Sequence, residues 1–339
     1  MLYKLIRKIL FLMDAETSHN LALKSLNVVC KLGISNLLFK KLVHDPVTVM
    51  GLEFNNRVGL AAGLDKNANY IDALSSTGFG FIEVGTVTPK AQPGNEKPRL
   101  FRLPEAKAII NRMGFNNNGV EDLIAAVKKS DYSGQLGINI GKNFSTPVEN
   151  AVDDYLFCFE HVYTIADYIT VNISSPNTPG LRSLQHGEAL VTLLSSLKNK
   201  QSQLNRIHER YVPIAVKIAP DLSSEEISEL SETFLKTEVD CVIATNTTFS
   251  REGVENLQHG DEQGGLSGAP VKNASTHVVS EFSQKFKGKI PLIAVGGIMT
   301  AEDAVEKINA GADLVQIYSG FIYEGPDLIH RCAKAIAEM

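Results

Sequence analysis

Seven nitrogen-bearing side chains recur around short apolar runs of this sequence. Lys66, Asn139, Asn172, Lys217 and Asn246 fall inside or just past a run, and Asn111 and Asn177 fall in the loops between. Each asparagine offers two donors and an acceptor from one side chain. A ring of them suits a neutral, planar ligand whose edge alternates carbonyl and N–H groups, such as a flavin or a pyrimidine. The lysines can place positive charge beside a ring that becomes anionic on reduction. A lone asparagine reads equally well as a turn residue; seven groups converging on one rim point to a ligand. Gly296-Gly297 and Ser319-Gly320 add backbone N–H groups uncrowded by side chains, as a phosphate cradle requires, and GLSG at 265–268 could add another contact. The run Ser174-Ser175-Pro176-Asn177-Thr178 is the most unusual loop. A serine is a poor base unless a desolvated network takes up its proton as bonds break. On the residues alone, Ser175 reads as a turn hydroxyl bonded to backbone.

Other chemistries find little support. The eight histidines (His19, His44, His161, His186, His208, His259, His277 and His330) lie outside the run ends, with no HExxH and no His-carboxylate cluster, so no metal site is expected. Asp65 and Asp221 are too few to make the paired acids of glycoside chemistry, and no Ser–His–Asp set is readable. Redox and isomerase chemistry remain.

The elements that must position these groups are legible. From Arg57 onward, eight Val- and Ile-rich runs recur: VGLAAG (58–63), FIEVGTVT (81–88), LGINIG (136–141), YITVNIS (168–174), PIAVKIA (213–219), DCVIATN (240–246), PLIAVGG (291–297) and DLVQIYSG (313–320). They read as strands buried on both faces, as in a parallel sheet, with amphipathic stretches such as 223–236 and 301–310 between them. Eight β/α units predict an α/β fold, a closed (β/α)8 TIM barrel, with ligands at the carboxyl ends of the strands. Thr300 can cap the 301–310 helix, with Asp303 three residues on and Gly311 beyond its end. The Pro- and Gly-rich stretch from Pro89 to Asn118 reads as one long functional loop.

The chain has 339 residues and a net charge of −5, which argues against a nucleic-acid binder. Residues 1–44 carry seven cations against Asp14 and Glu16, so this segment is +5 on a body of −10. On a helical wheel Leu2, Leu5, Ile6, Ile9, Leu10 and Met13 share one face, Lys4, Arg7 and Lys8 the other, and Phe11 sits off the apolar face. A second periodic stretch, Leu21 to Leu32, ends at Gly33. This small two-helix N-terminal extension could lie in a membrane interface or simply cap the barrel. No apolar run approaches the ~20 residues of a spanning helix. The run from Ile9 to Met13 meets Asp14 at once and lacks a cleavage site, against a signal peptide. The scattered Cys30, Cys158, Cys241 and Cys332 suggest core thiols of a reducing compartment.

The motifs LAAGLDKN, EVGTVTPKAQPGNEKPRLFRL, NRMGFNN, NISSPNTPG, ATNTT, GGLSG and VQIYSG resemble those of the quinone-dependent (class 2) dihydroorotate dehydrogenases, over essentially the whole chain. The resemblance implies oxidation of dihydroorotate to orotate in pyrimidine biosynthesis, with FMN as hydride acceptor. By motif, FMN would contact Ala62, Gly63, Lys66, Thr86, Asn139, Asn172, Lys217, Thr245, Gly268, Gly297, Tyr318 and Ser319, with Ala61, Leu64 and Asp65 of the same LAAGLDK run. Dihydroorotate would meet Lys66, the run Asn111, Arg112, Met113, Gly114 and Phe115, and Asn172, Asn177, Asn246 and Thr247. Ser175 would take the C5 proton while C6 gives hydride to flavin N5, with Thr178 in the proton path. Class 1 enzymes carry cysteine at the Ser175 position. The resemblance further implies that residues 1–44 sit on the membrane and form a tunnel to the flavin, leaving 45–339 as the barrel. His19, Arg102 and Tyr318 would form the polar groups of a site for ubiquinone or menaquinone. A monomer on the cytoplasmic side of a bacterial inner membrane is the corresponding expectation. The alternatives are a barrel lyase or isomerase using Lys217 as a Schiff-base amine, and a non-catalytic membrane-binding barrel.

Overall fold

The computed structural model describes residues 2–178 and 180–339; Pro179 of the NISSPNTPG loop, and the side chain of Leu2 on the helical wheel, lie outside the described residues. Eight parallel strands form the predicted barrel: β1 (Val58–Leu60), β2 (Phe81–Val87), β3 (Gln135–Ile140), β4 (Tyr168–Asn172), β5 (Ile214–Ile218), β6 (Cys241–Ala244), β7 (Leu292–Val295) and β8 (Leu314–Ile317). They neighbour one another in chain order and close where Val315 meets Val58 and Ile317 meets Leu60. The Val- and Ile-rich composition follows from burial on both faces, which is complete along β2, β4 and β5. An antiparallel hairpin, Val47–Val49 with Leu52–Phe54, plugs the amino-terminal mouth. There Phe54 packs edge-on against Phe81 at 5.0 Å, with Tyr168 beside both.

Two longer helices precede the barrel, α1 (Leu2–Leu10) and α2 (Ala15–Lys31), followed by a single helical turn at Ser35–Leu38. The rest pack around it: α3 (Ile71–Ser75), α4 (Val120–Val127), α5 (Ala151–Val162), α6 (Gly187–His208), α7 (Ser224–Lys236), α8 (Lys272–Phe286), α9 (Ala301–Asn309), α10 (Ser319–Glu324) and α11 (Pro326–Ala337). The expected cap of α9 is a reciprocal capping box: Thr300 Oγ1 accepts from the Asp303 N–H at 3.2 Å, and the Asp303 carboxylate from the Thr300 N–H at 2.9 Å. Ser223 and Glu226 do the same for α7.

Three expectations are corrected. The stretch from Pro89 to Asn118 is not one loop. Lys90–Gln92 pairs with Asn117–Gly119, and Leu100–Leu103, Ala108–Asn111 and the distant Gly265–Gly268 make a three-stranded antiparallel sheet. Strands of three or four residues, one recruited from 150 positions away, leave no local period to read. Helix α2 begins six residues before Leu21, because the Asp14 carboxylate caps it on the Thr17 N–H at 2.8 Å. Arg7 does not join Lys4 and Lys8 in solvent. It turns toward the barrel with Tyr3, Leu10 and Phe11, leaving Leu5, Ile6 and Ile9 exposed on the far side.

Candidate active site

A cavity opens at the carboxyl ends of the strands. Its wall is assembled loop by loop. The turn after β1 brings Ala61, Ala62, Gly63 and Lys66, β2 brings Thr86, and the sheet strand ending at Asn111 leads into Met113, Gly114 and Phe115. The end of β4 adds Asn172 and the loop after it Ser175 and Asn177; β5 adds Lys217; the turn after β6 adds Thr245, Asn246 and Thr247. Gly268, Gly297, Tyr318 and Ser319 complete the rim.

Five of the residues singled out from the sequence are placed elsewhere. Leu64 faces a second cavity. Asp65 stands behind the wall, its carboxylate accepting from the Asn69 and Tyr70 N–H groups at 3.0 and 2.7 Å, and burial raises its pKa. Arg112 turns outward to Glu262 at 2.8 Å and lies over the Phe101 ring. Thr178 is buried beside the cavity without lining it. Asn139 is fully buried one layer beneath the rim, accepting from Thr86 Oγ1 at 2.5 Å and from Asn172 Nδ2 at 3.3 Å.

Two cations border the cavity. Burial lowers the pKa of Lys66 to about 8, with Arg99 adding repulsion, and its ammonium donates to the Gly63 carbonyl at 2.8 Å. Burial also lowers that of Lys217, opposed by the Glu83 carboxylate. Ser175 is 5 % exposed, and its Oγ accepts the Asn177 N–H at 3.2 Å, the turn geometry its residue type suggests. The loop that carries it is held from two sides. Asn177 Nδ2 donates to Asn111 Oδ1 at 3.3 Å, and Arg182 donates to the Ser174 and Thr247 carbonyls while pairing with Asp221 at 2.8 Å. Arg182 went unnoticed in the sequence, because an arginine beyond a loop has no local signature.

At the opposite end Gly296 and Gly297 adopt φ of 126° and 77°. A Cβ on Gly297 would lie 2.4 Å from Lys272 Cα, so only glycine lets this turn pack on the start of α8. The N–H groups of Gly297, Ser319 and Gly320 have no acceptor among the described residues. Two more buried atoms of the wall, Thr247 Oγ1 and Gln316 Oε1, also lack a hydrogen-bond partner among the described residues.

The second cavity lies between the N-terminal helices and the barrel. Its wall is mostly apolar, including Leu10, Phe11, Ala22, Leu23, Phe321 and Ile322, with His19, Arg102 and Tyr318 among them. Tyr3 and Arg7 join that set and were not expected there. Burial holds His19 down at about 4, so its imidazole is neutral near pH 7. Arg102 donates to the Leu10, Phe11 and Met13 carbonyls at the end of α1 and stacks on Phe11. Tyr318 lines both cavities, and burial raises its pKa to about 12, so it is a phenol at neutral pH. No helix among the described residues is long and apolar enough to cross a membrane.

The dihydroorotate dehydrogenase family model matches residues 46–339. The dihydroorotate dehydrogenase (quinone) of Pseudomonas fluorescens is 60% identical over 338 residues, covering all of both chains. That of Pseudomonas savastanoi pv. phaseolicola is 58% identical, covering 100% of this chain and 98% of its own. Among solved structures, the ligand-free DHODH of Eimeria tenella superposes with a TM-score of 0.85 at 39% identity, covering 93% of each chain. The same organism's DHODH in complex with ferulenol gives 0.82 at 37% identity, covering 92% of this chain and 89% of that one. With a family model spanning the barrel and full-length relatives at this identity, the chain belongs to the dihydroorotate dehydrogenase family, in its quinone-dependent class.

Proposed function

We propose that the main cavity oxidises dihydroorotate to orotate with FMN as its prosthetic group, and that the second cavity admits a membrane quinone as final acceptor. The observation that carries this reading is the pairing of an amide-rimmed, cation-bordered cavity with an apolar one across a single shared ring, Tyr318. FMN fits the residues present. The Gly297 turn with Ser319 and Gly320 offers free N–H groups for its phosphate, while Thr247 Oγ1 and Gln316 Oε1 are buried polar atoms awaiting a partner. When bound, FMN supplies the acceptor for the C6 hydride and the carrier of two electrons to the quinone.

The chain's own groups do the rest. Asn111, Asn177 and Asn246 read the substrate's amide edges, and Lys66 meets its carboxylate. Ser175 Oγ receives the C5 proton as the C5–C6 double bond forms, and its own proton passes on past Thr178. The Asn177 N–H on Oγ leaves one lone pair directed elsewhere and lowers the cost of charge on that oxygen. Lys217 and Lys66 hold positive charge where electron density arrives. Water is kept from Ser175 by its burial and by the Arg182 staple.

For the second half-reaction, neutral His19, the Arg102 guanidinium and the Tyr318 phenol offer polar contacts to a quinone carbonyl in an otherwise apolar tunnel. The exposed Leu5, Ile6 and Ile9 of α1, with Lys4 and Lys8 beside them, suit an anionic membrane interface. The protein would then act peripherally, on the cytoplasmic face of the inner membrane.

An anaerobic visible spectrum tests the reading. Flavin absorbance that bleaches with dihydroorotate and returns with a quinone analogue is expected. A bound flavin that does not bleach removes the substrate. Protein that takes up no FMN removes the reading altogether.

A further inference from the structure

Beneath the rim lies a carboxylate that the mechanism above does not use. Glu83, in the middle of β2, is fully buried in the barrel and does not line the cavity. It accepts three hydrogen bonds, from Asn139 Nδ2 at 2.8 Å, Tyr168 OH at 3.0 Å and Gln316 Nε2 at 2.7 Å.

All three bonds are donated to the carboxylate, so each amide facing it presents its NH2 edge. Asn139 therefore turns its oxygen the other way, where it accepts from Thr86 Oγ1 and Asn172 Nδ2. That engages the NH2 of Asn172 and directs its oxygen to the Ser174 N–H and to Asn246 Nδ2, both at 3.3 Å. Asn246 in turn offers its oxygen to the Thr247 N–H at 2.8 Å. The backbone N–H groups of Ser174 and Thr247 can only donate, so the far end of the row demands the orientation that Glu83 imposes at the near end. Gln316 obeys the same rule: its NH2 is held on Glu83, leaving Oε1 as a buried acceptor in the cavity wall.

We propose that Glu83 is a positioning residue that sets, through Asn139 and Gln316, which edge of each rim amide faces the ligand. The donor–acceptor pattern offered to a pyrimidine ring is thus fixed at its inner end by this one acceptor and at its outer end by backbone N–H groups. This rests on the dihydroorotate and FMN reading above and names the group that gives that site its polarity.

The test uses the FMN-loaded full chain and reads orotate affinity from the shift of the flavin's visible spectrum, with melting temperature alongside. Glu83→Leu removes the acceptor and leaves the buried NH2 groups of Asn139 and Gln316 facing an apolar side chain. Orotate affinity should fall at least about tenfold, the effect of one mispaired buried donor, while FMN stays bound. Asn139→Asp alone sets two carboxylates face to face and should weaken orotate as much or more. The double variant Glu83→Gln/Asn139→Asp exchanges donor and acceptor across that contact yet keeps an oxygen toward Thr86 and Asn172. It should recover affinity to within about threefold of wild type, since every hydrogen bond of the row is again satisfied. Glu83→Gln alone keeps the shape of the side chain but sets an NH2 against that of Asn139; it should lose affinity, and wild-type affinity there would leave Glu83 a packing role only and overturn the proposal.

Wild-type affinity in Glu83→Leu, or no recovery in the double variant, overturns the proposal. If Glu83→Leu fails to fold, the comparison of Asn139→Asp with the double variant still decides. Wild-type protein that binds FMN and responds to orotate upholds the underlying reading whatever the variants do; wild-type protein that does neither defeats that reading itself.

Discussion

Substrate affinity should carry a pH limb set by Lys66. Its ammonium rests on the Gly63 carbonyl at the cavity wall, and burial, with Arg99 nearby, lowers its pKa from 10.5 to about 8, against the opposing pull of Glu16 and Asp65. A cation whose folded pKa is depressed loses its charge early as pH rises. The attraction for a carboxylate ligand is thus present below about 8 and lost above it. If only the charged form binds the anion, affinity falls tenfold per unit well above the pKa, which makes roughly tenfold between pH 7 and pH 9. The measurement is an orotate titration of the FMN-loaded protein, followed by the flavin spectrum from pH 6.5 to 9. Lys66→Arg keeps its charge throughout this range, so its affinity, whatever its absolute value, should lack the limb. Any titration of orotate itself would appear in both proteins and cancels in the comparison. A flat wild-type profile refutes the reasoning. The same limb in wild type and Lys66→Arg refutes the assignment and transfers the titration to Lys217, the other buried cation of the wall.

Other consequences can be checked with simpler variants. Ser175→Ala should keep its bound flavin but slow flavin reduction by dihydroorotate about 10³-fold in an anaerobic stopped-flow trace; an unchanged rate would remove serine as base. Gly297→Ala places a Cβ against the Lys272 backbone at a φ of 77°, so FMN affinity should drop by about one order of magnitude and riboflavin affinity much less, as read by fluorescence quenching. Leu5→Glu with Ile9→Glu should abolish sedimentation with anionic vesicles, at about 1.5–3 kcal/mol of burial lost per side chain, without changing flavin reduction. Deleting residues 1–44 should abolish quinone reduction and spare the dihydroorotate half-reaction; full quinone activity in the truncated protein would place the tunnel elsewhere.

The eight strands were readable because a parallel barrel buries both faces of each, which leaves unbroken Val and Ile runs. The cavity residues were readable for a related reason: the carboxyl ends of those runs converge by topology alone. The sheet formed by 100–103, 108–111 and 265–268 was not, since its pairing depends on contacts across 150 residues. Arg7 was misplaced because a wheel sorts residues by polarity. It cannot show that an arginine will find the Tyr323 carbonyl and a phenylalanine the Tyr323 ring on the inner side. Glu83 did leave a trace. An acid inside FIEVGTVT is costly in a strand buried on both faces unless something meets it, and that anomaly was available before any coordinates.

The docking of α1 has a consequence for how the protein is made. Tyr3 donates to the Ile322 carbonyl at 2.7 Å and Arg7 to that of Tyr323, so α1 is held by residues translated more than 300 positions after it. Ring closure has the same dependence, because β1 must wait for β8. At about 5–20 residues per second, some 320 positions take roughly 15–60 s. Throughout that interval both faces of α1 are bare, the one bound for the barrel and the apolar one beyond it. A lipid surface can therefore capture the helix before the barrel exists to receive it. Loss of α10, which carries Ile322 and Tyr323, would free α1 as surely as a mutation within it.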